Sequence, residues 1–320
     1  MYVYPCSNKN QYLSLLQSSI FASRYSLEQH LCAIHKNETS FTIPGICTVC
    51  EKPVDFLVDH QYGLRIENDL PIPNWRERQV CPSCQLNSRQ RIAFGFLRDA
   101  VKRAQGRSEF TVYMMEQVTP IYARAKTAFA EIELIGSEYL GPETISGTII
   151  DGIRHEDVHR LSMKAESVDL VVSNDVMEHV PDPRRGFGEI HRVLRVGGAL
   201  FLTIPFFVAT EKSVVRAELR DGKLIHHLPE VYHGNPMSEK GSLVFTDFGW
   251  DVLRLLNEAG FQHANVVAVW SFLYGCLGIP TQYFHAVKGR SETGASRPIM
   301  NRVSATCGKL FKRLARLRAV

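Results

Sequence analysis

No stretch of the 320 residues approaches the ~20 consecutive apolar positions that cross a bilayer as a helix. The first residues, MYVYPCSNKNQYLSLLQ, also lack the basic, apolar, small-residue order of a secretory leader. A membrane span and export are therefore not expected, and a cytoplasmic protein is. No internal repeat and no low-complexity tract precedes the C-terminal tail, so fibrous and disordered classes are excluded. A large net charge is missing as well. The total is +4, and residues 288–320 hold nine Lys or Arg against one acid, which leaves −4 on residues 1–287. A mildly acidic body argues against a protein-wide nucleic-acid footprint, which needs a basic face. What the chain does have is 45% hydrophobic residues, enough for one large α/β core and a smaller module.

Cysteines number eight, and four of them form two matched pairs, Cys47-x2-Cys50 and Cys81-x2-Cys84, with 30 residues between the pairs. In a reducing compartment such spacing reads as metal binding rather than crosslinking. Each pair makes a knuckle presenting two thiolates on one side of a tight turn. Four thiolates at about 2.3 Å complete tetrahedral zinc with no open position, so a structural Zn2+ is expected. Asp59 and His60 are weaker ligand candidates. Cys6, Cys32, Cys276 and Cys307 read as ordinary thiols or small core residues. Loss of the metal is expected to unfold this zinc-ribbon-like module first and leave the larger core in place.

The organisation expected is a helical segment over 1–40, the ribbon over 41–87, an α/β domain over 88–290 and a basic tail over 291–320. In the first segment Leu13, Leu16, Ile20, Leu27 and Leu31 recur at helical spacing. A helix is expected over Ser88–Gln105, stopped by Gly106. From Phe110 the pattern alternates between strand and helix. Phe110–Met115, Glu133–Gly136, VDLVVSND and GALFLTIPF read as strands, and Tyr122–Ala130 and PRRGFGEIHRVLR as helices, the latter closed by Gly197-Gly198. TDFGWDVLRLLNEAGF reads as a helix capped by Thr246 or Asp247 and ended by Gly260. NVVAVW and TQYFHAV close the domain as strands. Unbroken apolar strands between helices mean a parallel sheet covered on both faces.

The segment VDLVVSNDVMEHVPDPRRGFGEIHRVLRVGGALFLTIPF resembles the class I S-adenosylmethionine-dependent methyltransferases, specifically the type 11 methyltransferase family, and the likeness extends over roughly residues 108–290. Its specific part is the order of features: an apolar strand ending in a polar pair, Glu-His-Val, a helix, then Arg-Val-Leu-Arg-x-Gly-Gly before the next strand. The resemblance implies an α/β, Rossmann-like seven-stranded sheet with S-adenosyl-L-methionine across the C-terminal ends of its first strands. It places Glu116 at the end of strand one, orienting the methionine amino group, and Gln117 in the loop that follows. Glu138 would hold the ribose diol, Asp157 the adenine amino group, and Ser173 and Asn174 the methionine end. The family's Gly-rich loop is missing here. The chain reads EQVTP over 116–120, so the cradle has to be rebuilt from side chains.

Asp175-x-x-Glu178-His179 admits two readings. It is similar to a divalent-cation cluster of ubiquinone-pathway O-methyltransferases, or else Asn174 or Asp175 caps a helix with Glu178 completing a capping box; the capping reading is preferred. His179 is placed to face the substrate. Tyr232 and His233, in the polar insert after strand five, are candidates for general bases or for orienting an acceptor hydroxyl. The expected activity is methyl transfer to a small-molecule or saccharide-like hydroxyl. Its rivals are an RNA methyltransferase gripping the backbone through ribbon and tail, and an inactive binding protein keeping the fold. The ribbon region, residues 41–107, holds ten basic and seven acidic residues, too balanced to insist on RNA. The tail GKLFKRLARLRAV reads as a basic amphipathic helix for an anionic membrane surface or a protein partner.

Overall fold

Strands buried on both sides cannot alternate polar and apolar residues, and Thr111–Met114 is accordingly buried at every position. Val168–Asn174 is buried over most of its length. Successive residues go to opposite faces: Val112, Met114, Leu170 and Val172 join one apolar cluster, whereas Tyr113, Met115 and Val171 join the other. The computed structural model describes residues 2–66, 69–107 and 109–289. Among these, no helix is long and apolar enough to cross a membrane. The basic tail lies outside the described residues.

The main sheet has seven strands in the spatial order Glu133–Gly136, Thr111–Met114, Val168–Asn174, Leu194–Thr203, Cys276–Lys288, Phe261–Ser271 and Tyr2–Cys6. The first four run parallel. Cys276–Lys288 is antiparallel to both of its neighbours, and Tyr2–Cys6 closes the edge antiparallel to Phe261–Ser271. The expected strand count is met, but the edge strand comes from the N-terminus, where the sequence pattern points only to helix. Five residues are too short to carry a periodic signal. Where a further parallel strand would lie beyond Glu133–Gly136, the chain makes only an isolated bridge between Glu138 and His155.

Three local expectations need correction. The helix after strand four ends at Val193, and Leu194 already begins the next strand. Gly197 and Gly198 lie inside that strand, where the register to its neighbour shifts and Gly197 adopts φ +82°, so they relieve a bulge rather than stop a helix. The later helix spans only Val252–Glu258 and is not capped by Thr246 or Asp247. Those two pair as a short strand with Val214–Val215, and the insert around Ser213–Arg216 holds them: Arg216 donates to Asp247 at 2.7 Å. Gly260, at φ +100°, does end this helix.

The N-terminal helices, Lys9–Leu16 and Ser19–Ile34, exist, but the second buries Phe21, Arg24, Glu28 and Cys32 and leaves Ile20 and Leu27 exposed. Glu28 tolerates burial because it accepts hydrogen bonds from the Trp270 indole and, at 2.8 Å, from the Gly278 amide.

Helix Ser88–Ala104 starts at a full capping box, Asn87 with Gln90. It packs Ile92, Phe94, Leu97 and Val101 onto the sheet face that also receives Cys47, Cys81 and Cys84. The cysteine module is thus continuous with the main core. Residues 1–289 cluster as one unit.

Candidate active site and metal centre

The two cysteine pairs sit at the end of a three-stranded sheet of Ser40–Ile46, Pro53–Asp59 and Gln79–Val80. The knuckles share one geometry. The Glu51 amide donates to the Cys47 carbonyl and the Gln85 amide to the Cys81 carbonyl, each at 2.9 Å, and both closing residues are left-handed, at φ +54° and +63°. The four sulfurs lie within 4.8 Å of one another, with Cys47–Cys84 at 3.7 Å and Cys50–Cys81 at 3.9 Å. Zinc–sulfur bonds of about 2.3 Å in a tetrahedron put sulfurs ~3.8 Å apart, so the four residues fit the ion. The Cys84 thiol beside it, followed by backbone amides, pulls the Cys47 thiol down to about 5 against its burial.

A buried cation supports the same reading. Arg91 has no exposed surface, lies over the Phe56 ring at 3.9 Å, and donates through Nη2 to the carbonyls of Gln79 and Gly275. Its Nε and Nη1 have no partner among the described residues. Burial lowers its pKa, and the neighbouring Cys47, Cys276, Cys81 and Cys84 thiols oppose that. A tetrathiolate around a divalent ion carries two negative charges, which is the compensation a buried guanidinium requires. Asp59 and His60 stand apart from the cysteines: Asp59 accepts from Arg78, and His60 packs against Phe41.

Ligands of open α/β sheets settle beyond the strand ends at the switch point, here between Thr111–Met114 and Val168–Asn174. Glu116, Gln117, Glu138, Ser173 and Asn174 all gather there. Glu116 is almost fully buried, and its carboxylate accepts from the Asn174 amide and the Thr119 hydroxyl. Burial pushes this carboxyl above its ordinary range, against those hydrogen bonds.

Glu138 accepts the Gln117 and Val118 backbone amides on one oxygen, at 2.6 and 2.9 Å. The missing glycines are thus replaced by side-chain ties. Gln117 donates to the Gly152 carbonyl and accepts the Arg154 amide, at 2.7 and 2.9 Å. Thr119 caps the helix Pro120–Ala128. One glycine survives close by: a Cβ on Gly136 would stand 2.4 Å from the Tyr122 ring, so only glycine lets that helix lie so near the strand.

The Ser173 hydroxyl and the Asn174 carbonyl oxygen are buried without partners among the described residues. Orphaned polar atoms past the ends of parallel strands are what a polar ligand would satisfy. Asp157 lies farther along, its carboxylate held below the ordinary range chiefly by the His159 ring, which contacts it at 2.9 Å.

The capping box expected at 174–178 does not form. The turn Met177–His179 has no side-chain cap, the Asn174 side-chain amide goes to Glu116, and Asp175 is left-handed at φ +51°. Asp175 instead accepts two hydrogen bonds from Arg76, at 2.8 and 3.0 Å, with Arg89 at 3.3 Å. Burial alone would raise this carboxyl, but the Arg89 and Arg76 guanidiniums outweigh it and hold it well below the carboxylate range.

Glu178 and His179 are joined by His233 rather than by Asp175. Glu178 has no exposed surface, and neither carboxylate oxygen accepts a hydrogen bond from a described residue. The His179 Nε2 and the His233 Nδ1 each stand 3.5 Å from its Oε1. Because the His179 Nδ1 donates to the Leu243 carbonyl at 2.8 Å, a neutral ring turns the lone pair of Nε2 toward the carboxylate. The cluster therefore calls for a positive charge, either a proton on a ring or a cation. Tyr232, next to His233 on the strand Tyr232–Asn235, faces the other way, and its hydroxyl donates to Glu230 at 2.7 Å. His226 and His227 pair with Glu230 and Glu218 on the same insert.

Sequence reasoning missed Arg76, Arg89 and Arg91, whose roles depend on long-range pairing. It singled out Glu178 only as a capping residue or part of a local motif.

The strand order, with Cys276–Lys288 reversed, and the polar side chains gathered past the strand ends define a Rossmann-like α/β protein. Residues 105–202 match the family described as a methyltransferase domain, type 11. The chain thus carries a methyltransferase domain, and its enzyme class is that of S-adenosylmethionine-dependent methyltransferases. Among solved structures, it is similar to a methyltransferase of that kind from Methanosarcina mazei, at 14% identity over 60% of this chain and 98% of the other, with a TM-score of 0.37. It is also similar to one from Mesorhizobium loti, at 16% identity over 61% and 96%, with a TM-score of 0.36. No curated protein matches the chain.

Proposed function

We propose that this enzyme transfers the methyl group of S-adenosylmethionine to a hydroxyl of a small-molecule or saccharide-like acceptor, and that Cys47, Cys50, Cys81 and Cys84 hold one structural zinc. The observation that carries the acceptor reading is the Glu178–His233 pair on the strand-end side of the sheet, with His179 beside it. Methyl transfer is a direct displacement, so the protein's task is to align the acceptor and take its proton. S-adenosylmethionine supplies an activated sulfonium methyl. Glu116, Ser173 and Asn174 would hold its amino-acid end, Glu138 its ribose and Asp157 its adenine. His233, supported by Glu178, would accept the hydroxyl proton.

The Glu178 carboxylate raises the His233 pKa above the ordinary 6.5, against partial burial. A raised folded-state value has a definite sign. The pair's contribution to stability is complete below about 6.5 and is lost as pH rises through the elevated value. Activity runs the other way, because only the neutral ring accepts a proton, so methyl transfer is expected to climb through the same pH. Ring C–H resonances followed by NMR should show His233 titrating above 6.5 in the wild type and falling toward it in Glu178→Gln. A midpoint indifferent to that substitution would remove the pair from the mechanism. The acceptor class itself is tested by transfer of labelled methyl to a panel of hydroxylated small molecules, saccharides and RNA. Label appearing in RNA alone would refute the small-molecule reading.

A further inference from the structure

The cysteine module reaches the methyl-donor site through one short helix. Trp75–Arg78 precedes the second knuckle, and Trp75 anchors it, buried against Gly278, where a Cβ would come within 2.8 Å of the indole. From this anchor Arg76 extends to Asp175 and grips both carboxylate oxygens. Glu77 also accepts from Arg76 and collects Arg89, at 2.9 and 3.3 Å, and the Asn87 side-chain amide, at 2.6 Å. Arg89 also reaches Asp175, so Glu77, Arg89, Asp175 and Arg76 form a closed ring of charges across the seam between module and sheet.

Asp175 directly follows Ser173 and Asn174. A non-glycine residue at φ +51° holds a conformation that an isolated chain disfavours, and it persists only where its surroundings enforce it. Two constraints do so here: the Asp175 amide donates to the Thr203 carbonyl at 3.0 Å, and the carboxylate is held by the arginines. Releasing the carboxylate would leave a partly buried charge uncompensated and let the strand end relax toward ordinary backbone angles. Asn174 would then move off Glu116.

We propose that Arg76 of the cysteine module is a positioning residue for the cofactor site, fixing Ser173 and Asn174 through Asp175, so that the module is a working part of that site and not only an appendage. This rests on the reading that S-adenosylmethionine binds past the end of strand Val168–Asn174.

The test uses the full chain and calorimetry with S-adenosylhomocysteine. Arg76→Ala is expected to weaken binding about tenfold or more, since small misplacements at a site are costly, while zinc content stays at the wild-type level. Arg76→Lys, which keeps the charge but has one nitrogen where the guanidinium uses Nη2 on Asp175 and Nη1 on Glu77, should fall between. Arg78→Ala is the control: on the same helix, it breaks the pair that Arg78 makes with Asp59 of the strand Pro53–Asp59, and should lower the melting temperature without changing affinity more than about twofold. Should Arg76→Ala not fold, Asp175→Asn reads the same link.

Wild-type affinity in Arg76→Ala would overturn the proposal. So would equal weakening in Arg78→Ala, because the effect would then be general loosening. Failure of the wild type to bind S-adenosylhomocysteine at all would defeat the cofactor reading itself, and this inference with it.

Discussion

Replacing Cys81 and Cys84 together by serine is expected to take the chain from one zinc per molecule to none by elemental analysis, and to lower its melting temperature more than Arg76→Ala, Arg78→Ala or Glu138→Ala does. Structural zinc in small tetrathiolate sites binds with an apparent free energy on the order of 10–16 kcal/mol at neutral pH, and binding energy of that kind is folding energy. Cys47, Cys81 and Cys84 lie in the same apolar cluster as Phe94, Leu97, Val112 and Val172, and Arg91 relies on their charge. Unfolding is therefore expected to spread from the knuckles into helix Ser88–Ala104, a wider loss than the sequence expectation that the larger core would largely persist. Circular dichroism during chelation distinguishes the two: a single cooperative loss of helix supports the shared core, and retention of nearly all helix supports an independent ribbon. Zinc retained by the double mutant would refute the site.

The second large effect is expected at Glu138. Its carboxylate already accepts the Gln117 and Val118 amides on one oxygen, leaving the other for the ribose diol. Hydrogen bonds to a charged group contribute about 1.5–3 kcal/mol, so Glu138→Ala should weaken S-adenosylhomocysteine roughly 10- to 150-fold. The loop that replaces the Gly-rich turn would lose its anchor at the same time, which sets the expectation toward the upper end. Glu138→Gln separates the two contributions: its carbonyl oxygen still accepts the loop amides, while the negative charge facing the diol is gone. Isothermal titration of the three proteins checks this. Tight binding insensitive to both substitutions would move the ribose away from Glu138 while leaving the enzyme class intact.

The alternating strands and helices, the cysteine knuckles and the order of features around Glu178 are legible in the sequence because each is a local or evenly periodic signal. Buried parallel strands must be apolar at nearly every position, and the expected strand Val168–Asp175 therefore agrees with the observed Val168–Asn174 to within one residue. Two Cys-x2-Cys pairs need no tertiary knowledge to suggest a tetrathiolate, and the side chains at 116–120 announce that the glycine cradle is missing. Helix starts are less legible. Thr246 and Asp247 have good capping chemistry, but pairing with Val214–Val215 takes their backbone into a strand, and a long-range ladder prevails over local propensity.

The edge strand Tyr2–Cys6, the gathering of His233 with Glu178, the tie from Gln117 to Gly152 and Arg154, and the grip of Arg76 on Asp175 were decided only by the tertiary structure. Each joins residues tens to hundreds of positions apart, and among the charged pairs the partner is chosen by burial: a carboxylate or guanidinium removed from water must find its counterpart wherever the fold brings one within reach. Sequence spacing carries no record of that choice. The elements and the chemistry of this protein were therefore written locally, while the gathering of its candidate site and the ion pairs that join it to the cysteine module were settled by which charges the fold had to neutralise.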